Sequence, residues 1–215
     1  GMDNLNGLSP VLDTCEIDTL TFVLRGLGEG DIGEVTNQYW SSTGLAKAPI
    51  ELALQIIVDV LRGLVALKAL GIVHGGIGWQ TVSLNEGRAY IYNFSTACLV
   101  HDDDLGLSCA SCAKPEGFAT APYIKAPEMA DGLPTGPEND MWAAGQLFAE
   151  MLLGYLPSSV EHCAGFVELP QGLQELVRGM LQEQPSKRMT PQEALLKASS
   201  VAANLGVELQ RQQEP

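Results

Sequence analysis

At 215 residues with 46% hydrophobic content, the chain is long enough to bury one sizeable core, and a second full domain is a tight fit. Twelve Lys and Arg against 26 Asp and Glu give a formal charge of −14, which leaves no basic footprint for phosphate backbones or anionic headgroups. Nucleic acid and membranes are therefore excluded as partners, and a basic protein fits the charge. Five cysteines are too few for a disulfide scaffold, and no charged segment followed by an apolar run opens the chain. An intracellular, cytoplasmic setting is the expectation. Gly1-Met2 reads as a residue left by expression ahead of a native start, with a complete product beginning at Met2 expected.

Pro10 to Cys15 and Thr19 to Leu24 are short runs of β-branched and apolar residues, separated by Glu16-Ile17-Asp18, a pattern that predicts a hairpin. Gly26, Gly28 and Gly30 alternate beside acidic Glu29 and Asp31, which would repel a phosphate, so they read as a flexible connection. The apolar stretch Pro49 to Leu70 is interrupted by Glu51, Asp59, Arg62 and Lys68, which rules out a bilayer crossing. Ile50, Leu54, Ile57, Leu61 and Leu64 recur at helical period, with Pro49 at the start and Gly71 past the end. A buried central helix is predicted. Thr81 to Leu84 and Arg88 to Tyr92 flank the turn cluster Asn85-Glu86-Gly87 and predict a second hairpin. From residue 93 to about 125 no period is sustained, and a loop of that length implies function or disorder. Helices follow over Pro137 to Leu153, Gly172 to Leu181 and Pro191 to Ala198, the last opened by a capping box of Thr190 and Glu193. The polar tail from Glu208 to Pro215 is expected to fray, and no internal repeat is present.

Several blocks in this order carry a resemblance. Gly71-Ile-Val-His74-Gly75-Gly76-Ile77 stands where an H-R-D catalytic loop would stand, Tyr92-Asn93-Phe94-Ser95 where D-F-G would, and Ala126-Pro127-Glu128 is an intact A-P-E. Asp140-Met-Trp142-Ala-Ala-Gly145 is similar to D-x-W-x-x-G, and Pro185 to Leu195 is similar to the block around a structural arginine, here Arg188. Together they resemble the protein kinase superfamily over roughly residues 10 to 200. The resemblance implies a mainly α (α+β) fold. Residues 10–34 would be the remnant of a small lobe and hinge, 35–200 a kinase-like large lobe, and 201–215 a polar tail. It further implies that Glu128 pairs with Arg188, that the Asp140 carboxylate holds backbone amides of the His74 to Gly76 loop, and that His74, Phe94, Trp142 and Gly145 are structural.

Under the same resemblance the chemical positions are degenerate. Gly76 stands where the catalytic aspartate would accept the substrate proton, a loss of about 10²- to 10⁴-fold in general-base assistance. Gly78 replaces the catalytic-loop lysine, Thr81 an asparagine that would hold a second Mg²⁺, and Asn93 the aspartate that would hold the main one. Too few residues precede Arg25 for a phosphate loop, a lysine strand and its glutamate helix. The expectation is a pseudokinase, leaning away from an enzyme, with no cofactor and no metal. It would bind a protein partner or a second copy through small-lobe strands left uncovered. The alternatives are an atypical ATP-dependent phosphotransferase using Asp102, Asp103, Asp104 or Glu116, a redox-sensitive adaptor using Cys109 and Cys112 with Cys98 upstream, and a truncated gene copy with no selected role. His101 and His162 are isolated, the acidic run reads as a solvated surface, and Trp40 and Trp79 are either partner anchors or packing residues.

Overall fold

A computed structural model describes residues 11–17, 20–25, 30–32, 47–100, 126–130, 136–154 and 163–210. Its first elements are strands β1 (Val11–Ile17) and β2 (Leu20–Arg25), an antiparallel hairpin whose two-residue connection is tighter than the three-residue turn expected from the sequence. Among the described strands these two pair only with each other. The short strand β3 (Gly30–Asp31) lies antiparallel to β5 (Val82–Asn85), which pairs in turn with β6 (Arg88–Ile91). The β5–β6 turn is two residues, Glu86 at φ 51° and Gly87 at φ 73°, the paired left-handed geometry that suits the right-handed twist of a tight hairpin.

Helix α1 (Ile50–Ala69) forms the centre of the molecule. Leu54, Ile56, Ile57, Val58, Val60 and Leu61 are fully buried, so the helix is covered all round, as a helix with apolar residues on every face must be. Strand β4 (Ile72–Val73) follows it and pairs antiparallel with β7 (Cys98–Leu99), a contact that the aperiodic stretch after residue 93 did not advertise. The remaining described helices are α2 (Pro127–Ala130), α3 (Pro137–Leu153), α4 (Ala164–Val167), α5 (Gln171–Met180) and α6 (Pro191–Asn204). Helices α3 and α6 and strand β6 pack on α1, and α5 bridges α3 and α6. Gly145 permits the last of these approaches, because a Cβ there would lie 2.9 Å from the Met180 Cβ. The architecture is a mainly helical, kinase-like large lobe preceded by a β-hairpin.

Helix ends follow local chemistry. Gly154 ends α3 in the left-handed region at φ 77°, and Thr190 caps α6 by accepting from the Glu193 amide while the Glu193 carboxylate accepts from the Thr190 amide. Helix α6 continues six residues past Ala198, so residues 201–204 are helix, not tail. Residues 207–210 lie along the surface of the helical core. Val207 and Leu209 pack against the core, while Glu208 and Gln210 face solvent. No described helix is long and apolar enough to cross a membrane.

Candidate functional site

The loop between β4 and β5 and the segment after β6 come together above the N-terminal end of α3. Asp140, buried in the first turn of that helix, accepts the His74 amide at 2.7 Å and the Gly75 amide at 2.8 Å, one on each carboxylate oxygen. Burial pushes its pKa up to about 7 against the lowering effect of those two amides. His74 is itself fully buried. Its Nδ1 accepts from the Gly76 amide at 3.3 Å and its Nε2 lies 3.0 Å from the Tyr92 carbonyl, which assigns the neutral tautomer protonated on Nε2. Phe94 meets the same ring edge to face, with centroids 5.0 Å apart.

Around this scaffold the loop positions are closely packed or hydrogen-bonded within the chain. A Cβ on Gly76 would lie 3.0 Å from the Thr96 hydroxyl, and one on Gly75, held at φ 75°, would lie 2.8 Å from the Thr96 carbonyl oxygen. Thr96 is anchored there by donating its hydroxyl proton to the His74 carbonyl at 2.9 Å. The Thr81 hydroxyl accepts from the Gly78 amide at 2.9 Å and donates to the Gly76 carbonyl at 2.9 Å, so it is spent on its own loop. Asn93 sits in the left-handed region at φ 61°, and its side-chain carbonyl accepts from the Ser95 hydroxyl at 2.9 Å. Trp79, half-buried against the core, donates its indole N–H to Glu150 of α3 at 2.6 Å and pins the loop from the other side. Burial raises the pKa of Glu150 while that bond opposes the rise.

Below the loop, Arg188 grips Glu128 through two parallel bonds of 2.6 and 3.0 Å, and the pair is buried. The guanidinium also donates to the carbonyls of Glu138 and Gln182 and stacks 5.0 Å from the Trp142 ring, while Asn139 donates to Glu128 at 2.9 Å. The motif residues His74, Phe94, Asp140, Glu128, Trp142 and Arg188 are thus gathered around the start of α3, with Gly76, Gly78, Thr81 and Asn93 on the loops that lead into it.

Three participants escaped the sequence reading: Thr96, Asn139 and the pair of Asp59 with Arg88. Asp59 is fully buried on α1 and accepts two bonds from Arg88, one from Arg62 and one from the Ala89 amide. Asp59 in the middle of the apolar run of α1 is the available signal, and the sequence reading uses it only as evidence against a membrane span. Hydrogen bonding to Asp59 raises the Arg88 pKa, with burial opposing it. Cys98 is disulfide-bonded. Cys109, Cys112, His101, Asp102 to Asp104, Glu116, Trp40 and His162 lie outside the described residues. Among the described residues no group of three or more His, Cys, Asp or Glu is placed to hold a metal ion.

The model of the protein kinase domain matches residues 37–198, about three quarters of the chain. The chain belongs to the protein kinase family. It is 28% identical over 151 residues to a "probable serine/threonine-protein kinase" of Encephalitozoon cuniculi, a match covering 69% of this chain and 26% of that protein. It is 30% identical over 117 residues to homeodomain-interacting protein kinase 1 of Caenorhabditis elegans, covering 53% and 13% of the two chains. It is 29% identical over 103 residues to serine/threonine-protein kinase PAK 4 of Mus musculus, covering 47% and 16%. The chain therefore spans about a quarter or less of these relatives, all of which are named as kinases.

Proposed function

We propose that this kinase-family domain does not transfer phosphate and works by binding another protein. The observation that carries the reading is the glycine at position 76, which has no side chain to act as a base and is closely approached by Thr96. The family's catalytic aspartate would project there, and the Thr96 hydroxyl already stands 3.0 Å from where its first side-chain atom would be. Thr81 and Asn93 support it, because both offer neutral oxygens that are engaged within the protein. Phosphoryl transfer relies almost wholly on positioning and charge neutralisation, so losing base and metal ligands together leaves little for catalysis to act through.

The hairpin β1–β2 is the surface we assign to partners. A two-stranded hairpin alone is marginal in water and presents unpaired backbone edges. A net charge of −14 makes two copies repel and favours a basic partner over a homodimer, in the cytoplasm. A thermal-shift titration with ATP, with and without Mg²⁺, tests the reading, since a ligand that binds only the folded state raises its apparent stability. No shift at millimolar nucleotide is the expected result. A shift that requires Mg²⁺, with phosphate incorporation into any protein substrate, rejects it in favour of an atypical phosphotransferase built on Asp102 to Asp104 or Glu116.

One observation favours a second reading, in which the partner surface is sensitive to redox potential. The disulfide-bonded Cys98 lies on β7, directly after the Asn93 to Thr96 segment. In a reducing compartment a structural bridge is uncommon and a switching one is the better account. Parallel measurement of thiol labelling and partner binding across a glutathione series tests this reading; binding that ignores the redox state of Cys98, Cys109 and Cys112 rejects it.

A further inference from the structure

The end of the described chain is wired to the candidate site through four elements. After α6, Gly206 turns the backbone at φ 70°, and the Val207 amide donates back to the Ala202 carbonyl at 2.9 Å. Residues 207–210 then alternate, Val207 and Leu209 inward and Glu208 and Gln210 outward, the period of an extended strand lying on a surface. The Gln210 amide donates to the Gln55 side-chain carbonyl of α1 at 2.8 Å, across 155 residues of sequence. The Gln55 side-chain amide donates to Asp59 at 2.9 Å, and Asp59 holds Arg88 and the Ala89 amide of β6. The Gln210 side chain also covers the β5–β6 turn, 3.0 Å from where a Gly87 Cβ would stand.

That hairpin is rooted in the site. Its first strand is entered from Thr81 and its second leaves into Tyr92, whose amide donates to the Thr81 carbonyl at 2.9 Å and whose carbonyl meets His74. We propose that residues 207–210 are a releasable strap that holds the β5–β6 hairpin, and through it the Asn93 to Thr96 segment, in the closed arrangement. Two half-buried apolar side chains, the Val207 amide bond to Ala202 and a part-buried amide bond to Gln55 hold the strap, whereas the hairpin rests on the Arg88–Asp59 pair, whose carboxylate is fully buried. The strap is thus among the cheapest elements to open, and the network beneath it carries the consequence inward. Whatever captures the C-terminal end of this chain gains a route to the site without touching it.

The test is amide hydrogen exchange on the full chain, comparing wild type with Leu209→Asp, which removes an apolar anchor, and Gln210→Pro, which removes the donor N–H to Gln55 together with the side chain over Gly87. Glu208→Ala, facing solvent, is the control. Exchange at Ser83 to Ile91 at least tenfold faster in both variants, with α3 unchanged, is the expected result. Hairpin exchange equal to wild type overturns the proposal. So does an equal loss of protection in hairpin and α3, because that is general destabilisation without a directed link.

Discussion

Asp140 combines two opposed demands. It must be an acceptor for the His74 and Gly75 amides, and it must do so without water. The second demand wins the titration, since burial lifts its pKa from 3.8 to about 7. The folded chain therefore keeps a proton that the unfolded chain has lost between about pH 4 and pH 7. Stability due to this group is fully present below that window and falls as pH rises through it. Asp140→Asn removes the titration, and Glu150, whose raised pKa acts in the same direction, is common to both proteins. The unfolding free energy from urea denaturation of wild type relative to Asp140→Asn should fall from pH 4 to pH 7, with a slope no steeper than about 1.4 kcal/mol per pH unit. A constant difference would reject the assignment. Gly75 poses a geometric demand instead: Gly75→Ala must adopt φ 75° and meet the Thr96 carbonyl oxygen at 2.8 Å. A loss of about 1–3 kcal/mol is expected in denaturant unfolding. The glycine is required by the backbone, whatever chemistry the position has lost.

Between elements, the Arg188 and Glu128 pair does the joining. It ties α2 to the segment before α6, with Asn139 and the Glu138 carbonyl of α3 in the same network. Both side chains are buried, so removing one partner strands a charge away from water. Arg188→Ala should cost about 3–5 kcal/mol, read as a lowered midpoint in urea at neutral pH. A cost under about 1 kcal/mol would mean that the pair is solvated. The element scale also shows why parts of the sequence were legible and others were not. Helix α1 announced itself because apolar residues at helical period need no knowledge of their neighbours, and α3 because Pro137 and Gly154 punctuate both ends. Strands β4 and β7 did not, because two-residue strands carry no period and exist only through pairing with each other. The extension of α6 to Asn204 was missed because polar Ser199 and Ser200 follow Ala198 and the buried Val201 and Ala202 were not weighed.

For the molecule as a whole, phosphoryl transfer needs several parts at once, and under the proposed reading they are missing together. Restoring one should therefore restore nothing. Gly76→Asp, alone or with Asn93→Asp, should give no ATP-dependent phosphate incorporation above the unsubstituted chain in a radiolabel assay. Thr96 crowds the first position, and the second Mg²⁺ position still holds a loop-bound threonine. Incorporation by the double variant would show that the remaining scaffold is competent and that the closed pocket opens on demand.

The sequence alone determined the family frame: the order of its motifs, the central apolar helix, the capped helices, and the residue types that stand at the motif positions. Each of these is local, a period, a cap or a missing functional group, and local facts are written in the chain. What surrounds these positions was decided only by tertiary structure. Thr96 closing over Gly76, Trp79 reaching Glu150, and Gln210 reaching Gln55 join residues far apart in sequence with no shared motif. Such contacts depend on packing and burial, which set distances and protonation states that no residue carries by itself.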